Sequence, residues 1–91
     1  MEVRAHVLIK GRVQGVFFRS EIKRRARDLD TKGWARNLQD GSVEAIFEGQ
    51  ESSVRKLVEF CKKGPPGARV ADLTLEWEDY IGEFKDFRIV H

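Results

Sequence analysis

Residues 3–22, VRAHVLIKGRVQGVFFRSEI, change their period part-way along, and that change decides the fold. VRAHVLI (3–9) alternates, with Val3, Ala5, Val7 and Ile9 on one face and Arg4, His6 and Leu8 on the other, the pattern of a half-buried strand. From Phe18 the apolar residues recur at helical spacing instead. Phe18, Ile22, Arg25/Ala26 and Leu29 fall at that spacing, while Ser20, Glu21, Lys23, Arg24 and Arg27 turn outward. Between the two lies GRVQGVFFR (11–19), with two glycines four apart and an arginine to close it.

Working outward, the first helix is predicted to stop near Asp30 to Gly33, where a glycine can take the positive φ that ends helices. GWARNL (33–38) and SVEAIFE (42–48) flank an Asp40-Gly41 turn and read as a hairpin. A second helix follows Gly49, with Val54, Leu57, Val58 and Cys61 as its apolar stripe, and GPPG (64–67) ends it. ADLTLEW (71–77) and FRIV (87–90) give two more strands. Trp34, Trp77 and the phenylalanines read as core or sheet packing.

The order is strand, helix, strand, strand, helix, strand, with a short final strand. It predicts an α+β chain of one domain, 1–91: a ferredoxin-like βαββαβ sandwich with two helices on one face of a mostly antiparallel sheet. A helical crossover of this length joins strands that point the same way. The C-terminal ends of the first and second strands therefore meet at one rim, which brings the 11–19 loop beside Asn37.

Charge narrows the functional classes. There are 17 basic and 15 acidic residues, a formal net charge of +2, too mild for a nucleic-acid coat. The single cysteine, Cys61, allows no internal disulfide and fits a reducing compartment. No apolar run is long enough to span a membrane, and Met1 leads into a charged strand without a signal peptide, so a cytoplasmic location is expected. No metal-ligand spacing, paired carboxylates or Ser-His constellation occurs; His6 lies mid-strand and His91 ends the chain.

The loop itself points to an anion. Glycine allows positive φ and close approach, so Gly11 and Gly15 let the intervening chain curl. A curled strand-to-helix turn gathers N–H groups, and the helix start adds its own unpaired donors and positive dipole end. The expected cradle is the backbone of Gln14, Gly15, Val16, Phe17 and Phe18, with Arg19 reaching over it. The plain alternative is a turn followed by a solvated arginine. Against it, a cation in the first helical turn costs about 0.3–1 kcal/mol unless an anion meets it. Gly15 is followed by Val-Phe-Phe-Arg, without the Lys and Ser/Thr of a nucleotide loop, so neither nucleotide nor magnesium is expected.

GRVQGVFFR resembles the acylphosphatase signature G-x-V-Q-G-V-x-F-R, and GWARNLQDGSVE (33–44) resembles that family's second block, G-W-V-x-N-x-x-D-G-x-V-E. The likeness extends to GPPGARV and FRIV, hence over essentially the whole chain; Asp30, Thr31 and Ala35 depart from the family pattern. The resemblance implies the ferredoxin-like fold, hydrolysis of acyl phosphates and no cofactor. By motif position it makes Arg19 the substrate-binding arginine and Asn37 the asparagine that places the attacking water. The expected partner is a small acyl phosphate, with no nucleic acid, no membrane and no second chain.

The missing acid and base are compatible with such a substrate. Its leaving group is a carboxylate of conjugate-acid pKa about 4, which departs without a proton, and phosphoryl transfer is mainly positioning and charge stabilisation. Three rivals stand beside this reading: an RNA-binding module of the same strand order, the acylphosphatase-like domain of carbamoyl-transferring maturation proteins, and a domain that binds an anion without turnover. The first would need stacking rings on the open sheet face, where Arg4, His6, Leu8, Glu44, Ile46 and Glu48 are expected instead.

Overall fold

In the computed structural model, which describes residues 1–91, the chain runs β1 (Glu2–Arg12), α1 (Phe18–Asp28), β2 (Lys32–Asn37), β3 (Val43–Gln50), α2 (Glu51–Lys63), β4 (Arg69–Glu78) and β5 (Phe87–Ile89). The strands form one sheet in the order β4-β1-β3-β2-β5. β3 is antiparallel to both β1 and β2, and β4 is antiparallel to β1; β5 pairs in parallel with β2. β1 and β2 thus point the same way on either side of β3, and their C-terminal ends reach one rim. This is the ferredoxin-like arrangement the sequence pattern implied.

The alternating residues of the strands and the stripes of the helices form one core. Ala5, Val7 and Ile9 of β1, Val43, Ala45 and Phe47 of β3, Phe18, Ile22 and Ala26 of α1, and Val54, Leu57, Val58 and Cys61 of α2 are all buried within it. Each large side chain buried there stabilises the fold by about 1.5–3 kcal/mol. Cys61 is wholly enclosed, and burial pushes its thiol far above the ordinary range, so it fills space and does not react. Phe87 of β5 stacks on Phe47 at 5.8 Å, which fastens the short last strand to the core.

The opposite face of the sheet is not bare. The segment between β4 and β5 crosses it and is held there by Glu48, only 3% exposed. Its carboxylate accepts the N–H groups of Ile81 and Gly82 at 2.9 and 3.1 Å and a donor of Arg4 at 3.2 Å. Burial pushes this carboxyl up, but the two amides and the guanidinium outweigh it and hold it below the ordinary glutamate range. Trp34 also lies on this face, opposite Ile46 in the β2–β3 register, with the Arg36 guanidinium 5.2 Å from its ring. The face therefore carries a ring the alternation argument left out, although Arg4, Arg36, Glu44 and Glu48 on it are already paired.

Three local expectations are corrected. The first helix ends without glycine: Asp30 itself takes φ 51°, Thr31 N–H donates to the Ala26 carbonyl at 2.8 Å and Asp30 N–H to Arg27 at 3.1 Å, while Gly33 is already in β2. β1 runs on through Gly11 and Arg12, which pair with Val70 and Arg69 after a register shift at Lys10. A Cβ at Gly11 would stand 2.1 Å from the Arg69 carbonyl oxygen, so this glycine serves strand contact and not the loop. Third, Phe17 is 83% exposed and is not a core residue, whereas Trp77, 43% exposed on β4, packs at the sheet as expected. There it lies under the Arg55 guanidinium of α2, 5.0 Å from its ring centroid.

Candidate active site

Five residues, Val13 to Phe17, join β1 to α1. Val13 is buried and anchors the start of this loop; Phe18 is buried at its end, edge-to-face with Phe60 at 5.9 Å. Gly15 takes φ 75° with nothing within 4 Å of where a Cβ would sit, so what it supplies is backbone conformation. Phe17 precedes the helix at φ 60°, ψ 26°, a left-handed conformation that costs a bulky residue about 1–2 kcal/mol.

This geometry leaves donors unspent. No amide N–H from Gln14 to Phe17 donates to a carbonyl or side chain of the chain itself. The first-turn N–H groups of α1 have no partner by helix geometry, and the N-cap position, being phenylalanine, provides no side-chain acceptor. Gln14, Gly15, Phe17, Phe18, Arg19 and Ser20 line a cleft of about 450 Å³, together with Val13 below them and Asn37 from the end of β2. Val16 is not among the lining residues; it is half-buried and packs against the core.

Arg19 lies in the first turn of α1, half-buried. Arg4, Arg24, Arg25, Arg27, Arg36 and Arg55 all pair with carboxylates; Arg19, like Arg12, Arg69 and Arg88, does not, and of these four only Arg19 lines the cleft. Asn37 is exposed at the last position of β2, where its backbone pairs with Val43. The arginine and the asparagine that the motifs singled out are thus brought together at one cleft from two elements separated in sequence.

The side chain of Gln14 is a member of the site that sequence reasoning missed. Its Nε2 donates to the carbonyls of Leu38 and Ser42, at 2.8 and 3.0 Å, and so ties the loop to the β2–β3 turn immediately after Asn37. That turn is braced by bonds of its own. Leu38 N–H donates to Ser42 O, and the Asp40 carboxylate accepts both the hydroxyl and the N–H of Ser42, which hold it below its ordinary range. No local signal announces the bridge, because it depends on the rims of β1 and β2 being adjacent. Phe17 was readable: with Phe18, Ile22 and Ala26 on the buried stripe, its neighbour falls off the stripe.

No group of three or more His, Cys, Asp or Glu side chains is placed to hold a metal ion. His6 is on the far face, 2.7 Å from Glu44. A larger hollow of about 750 Å³ lies between the helices and the 64–67 loop, but Glu21 and Glu59 offset Arg25, Lys56 and Lys63 there. No helix is long and apolar enough to cross a membrane.

Comparison with known proteins agrees with this geometry. The acylphosphatase family model matches residues 5–89. An acylphosphatase of Pyrobaculum calidifontis is 53% identical over 97% of this chain and 81% of its own, and one of Pelotomaculum thermopropionicum is 52% identical over 94% of each. Among solved structures, the Coxiella burnetii acylphosphatase superposes with a TM-score of 0.92 at 37% identity, covering 98% of this chain and 93% of that one. A likeness also exists to one part of the much longer HypF of T. kodakarensis, with TM-score 0.82 and 28% identity over 12% of that chain. With the family's match spanning nearly the whole length, and relatives of more than half identity, the chain belongs to the acylphosphatase family.

Proposed function

We propose that the chain hydrolyses the carboxyl–phosphate bond of acyl phosphates, giving a carboxylate and inorganic phosphate. In this reading Arg19 and the backbone amides of Gln14, Gly15, Val16, Phe17 and Phe18 hold the phosphoryl oxygens, and Asn37 orients the attacking water. What supports it is one convergence: an arginine with no carboxylate partner, the amides of Gln14, Gly15 and Phe17 with no internal acceptor, and Asn37, all at one cleft.

A planar guanidinium can grip two equatorial oxygens at once. The Asn37 side-chain oxygen accepts a hydrogen bond from water and aims it in line with the bond that breaks. Water attacks phosphorus as the P–O bond to the acyl group opens; the bonding pair leaves with the carboxylate, which needs no proton at neutral pH. The water's proton passes to a phosphoryl oxygen of the substrate, which accounts for the lack of a side-chain base. The scheme draws on no metal and no cofactor, and needs one chain and one small substrate in the cytosol.

Phosphate release from benzoyl phosphate in the presence of EDTA tests it. The wild-type chain is expected to turn over under those conditions, and Asn37→Ala is expected to lower kcat by about 10²-fold with KM little changed. Near-normal turnover by Asn37→Ala would remove the assigned role. Tight binding of inorganic phosphate without turnover of any acyl phosphate would leave only an anion-binding domain.

A further inference from the structure

The acyl half of the substrate has so far met no residue. We propose that the ring of Phe17 forms the acyl-side wall of the cleft and makes the enzyme favour aromatic acyl groups over acetyl; this rests on the hydrolase reading above.

Phe17 is the residue before α1; it is 83% exposed and is one of the residues that line the cleft. The fold gains nothing visible from it. Phe18, not Phe17, enters the core, and a left-handed backbone is strained for any side chain of this size. Glycine at this position would remove both the strain and the exposed apolar surface. A large ring kept there is explained by what visits the cleft.

The cleft's composition says which part of a visitor meets it. Asn37 is the one lining residue from outside 13–20. In-line attack puts the water and the departing carboxylate on opposite sides of phosphorus. If Asn37 holds the water and the amides and Arg19 hold the equatorial oxygens, the acyl group leaves on the side of the cleft away from Asn37, past the exposed edge of the loop. Of the apolar residues that line the cleft, Val13 and Phe18 are 1% and 2% exposed, so Phe17 alone offers its surface. The opposite division of labour falls to Gln14, Arg19 and Asn37, which are polar. A doubly charged head with a flat apolar substituent has the same division, and ring against ring at offset or edge-on geometry is favourable beyond the area it removes from water.

The experiment compares kcat/KM for benzoyl and acetyl phosphate in the wild-type chain, Phe17→Ala, Phe17→Gly and Phe17→Trp. Both substrates present the same phosphoryl group, so any disturbance of the cradle cancels in the ratio of the two. The difference in leaving-group chemistry is common to all variants and cancels as well. The benzoyl-to-acetyl ratio is expected to fall about tenfold in Phe17→Ala and Phe17→Gly, the discrimination that a modest apolar contact supplies. Phe17→Trp is expected to keep or raise it. The glycine variant suits the left-handed backbone, so a folding defect in the alanine variant does not decide the matter. A ratio unchanged within about twofold in both small variants overturns the assignment while the hydrolase reading stands. If the wild-type chain releases phosphate from neither substrate, the hydrolase reading fails and the assignment with it.

Discussion

Arg4 and Arg19 are both partly buried arginines, and they are set in opposite circumstances. Arg4, on the open face of β1, is 12% exposed and spends its donors on Glu48, Glu78 and Glu83 at 2.8–3.2 Å, with the Phe84 ring 5.4 Å away. Burial opposes its charge, but the three carboxylates more than offset this and raise its pKa beyond the ordinary arginine value. Arg19, at the sheet rim, has no carboxylate partner and stands among amides that also lack acceptors. The same side chain is a strut where its fork is saturated by the chain and is left with free donors where no carboxylate meets it. Charge count and burial alone do not separate the two; the partner list does.

The widest separation is expected in catalysis. Arg19→Ala should lower kcat/KM by about 10²–10³-fold, through both KM and kcat, the usual loss for one donor to a phosphoryl transition state, while its melting temperature stays near wild type. Steady-state kinetics with benzoyl phosphate and a thermal melt check both halves, and a well-folded Arg19→Ala enzyme of undiminished activity breaks the contrast. Arg4→Ala should do the reverse. Glu48 then keeps its two amides but loses its cation in a site 3% exposed, at a cost of about 2–3 kcal/mol in urea unfolding, with kcat/KM changed less than about threefold. Loss of activity out of proportion to unfolding would show that the strut also serves the site.

A smaller effect sharpens the contrast by pH. Glu48 and Glu44 are both held below the ordinary glutamate range: burial raises each, and the bonds from Ile81, Gly82 and Arg4, or from His6 and Arg36, outweigh it. Groups depressed in the folded state contribute stability that is fully present above the unfolded pKa of about 4.3, and it is lost as pH falls through their folded values. Urea unfolding at falling pH should therefore show declining stability below about pH 4, with a shallower decline in Arg4→Ala, whose Glu48 is less depressed. An equal decline in both proteins would place the acid sensitivity elsewhere.

Much of this architecture was legible before coordinates. The switch of period at Phe18, the Asp40-Gly41 turn and the stripe of Val54, Leu57, Val58 and Cys61 are local signals whose partners lie within a few residues, and they gave the element order and the shared rim of β1 and β2. What was not legible depended on contact at long range. Gly11 reads as a loop glycine until β4 is laid beside it, Gly33 reads as a helix stop until Asp30 takes that part, and Glu48 reads as a surface acid until residues 81 and 82 close over it. At the site, Arg19 and Asn37 came from motifs and from sheet direction, whereas the bridge from Gln14 needed the actual spacing of two turns.

That bridge has a consequence for how the enzyme fails. A single carboxamide stitches the entry to α1 onto the crown of the β2–β3 hairpin, so the two segments cannot drift apart independently while it holds. Fraying of the hairpin tip will be felt at the helix entrance as lost alignment, and the chain should fall silent on warming before its core gives way.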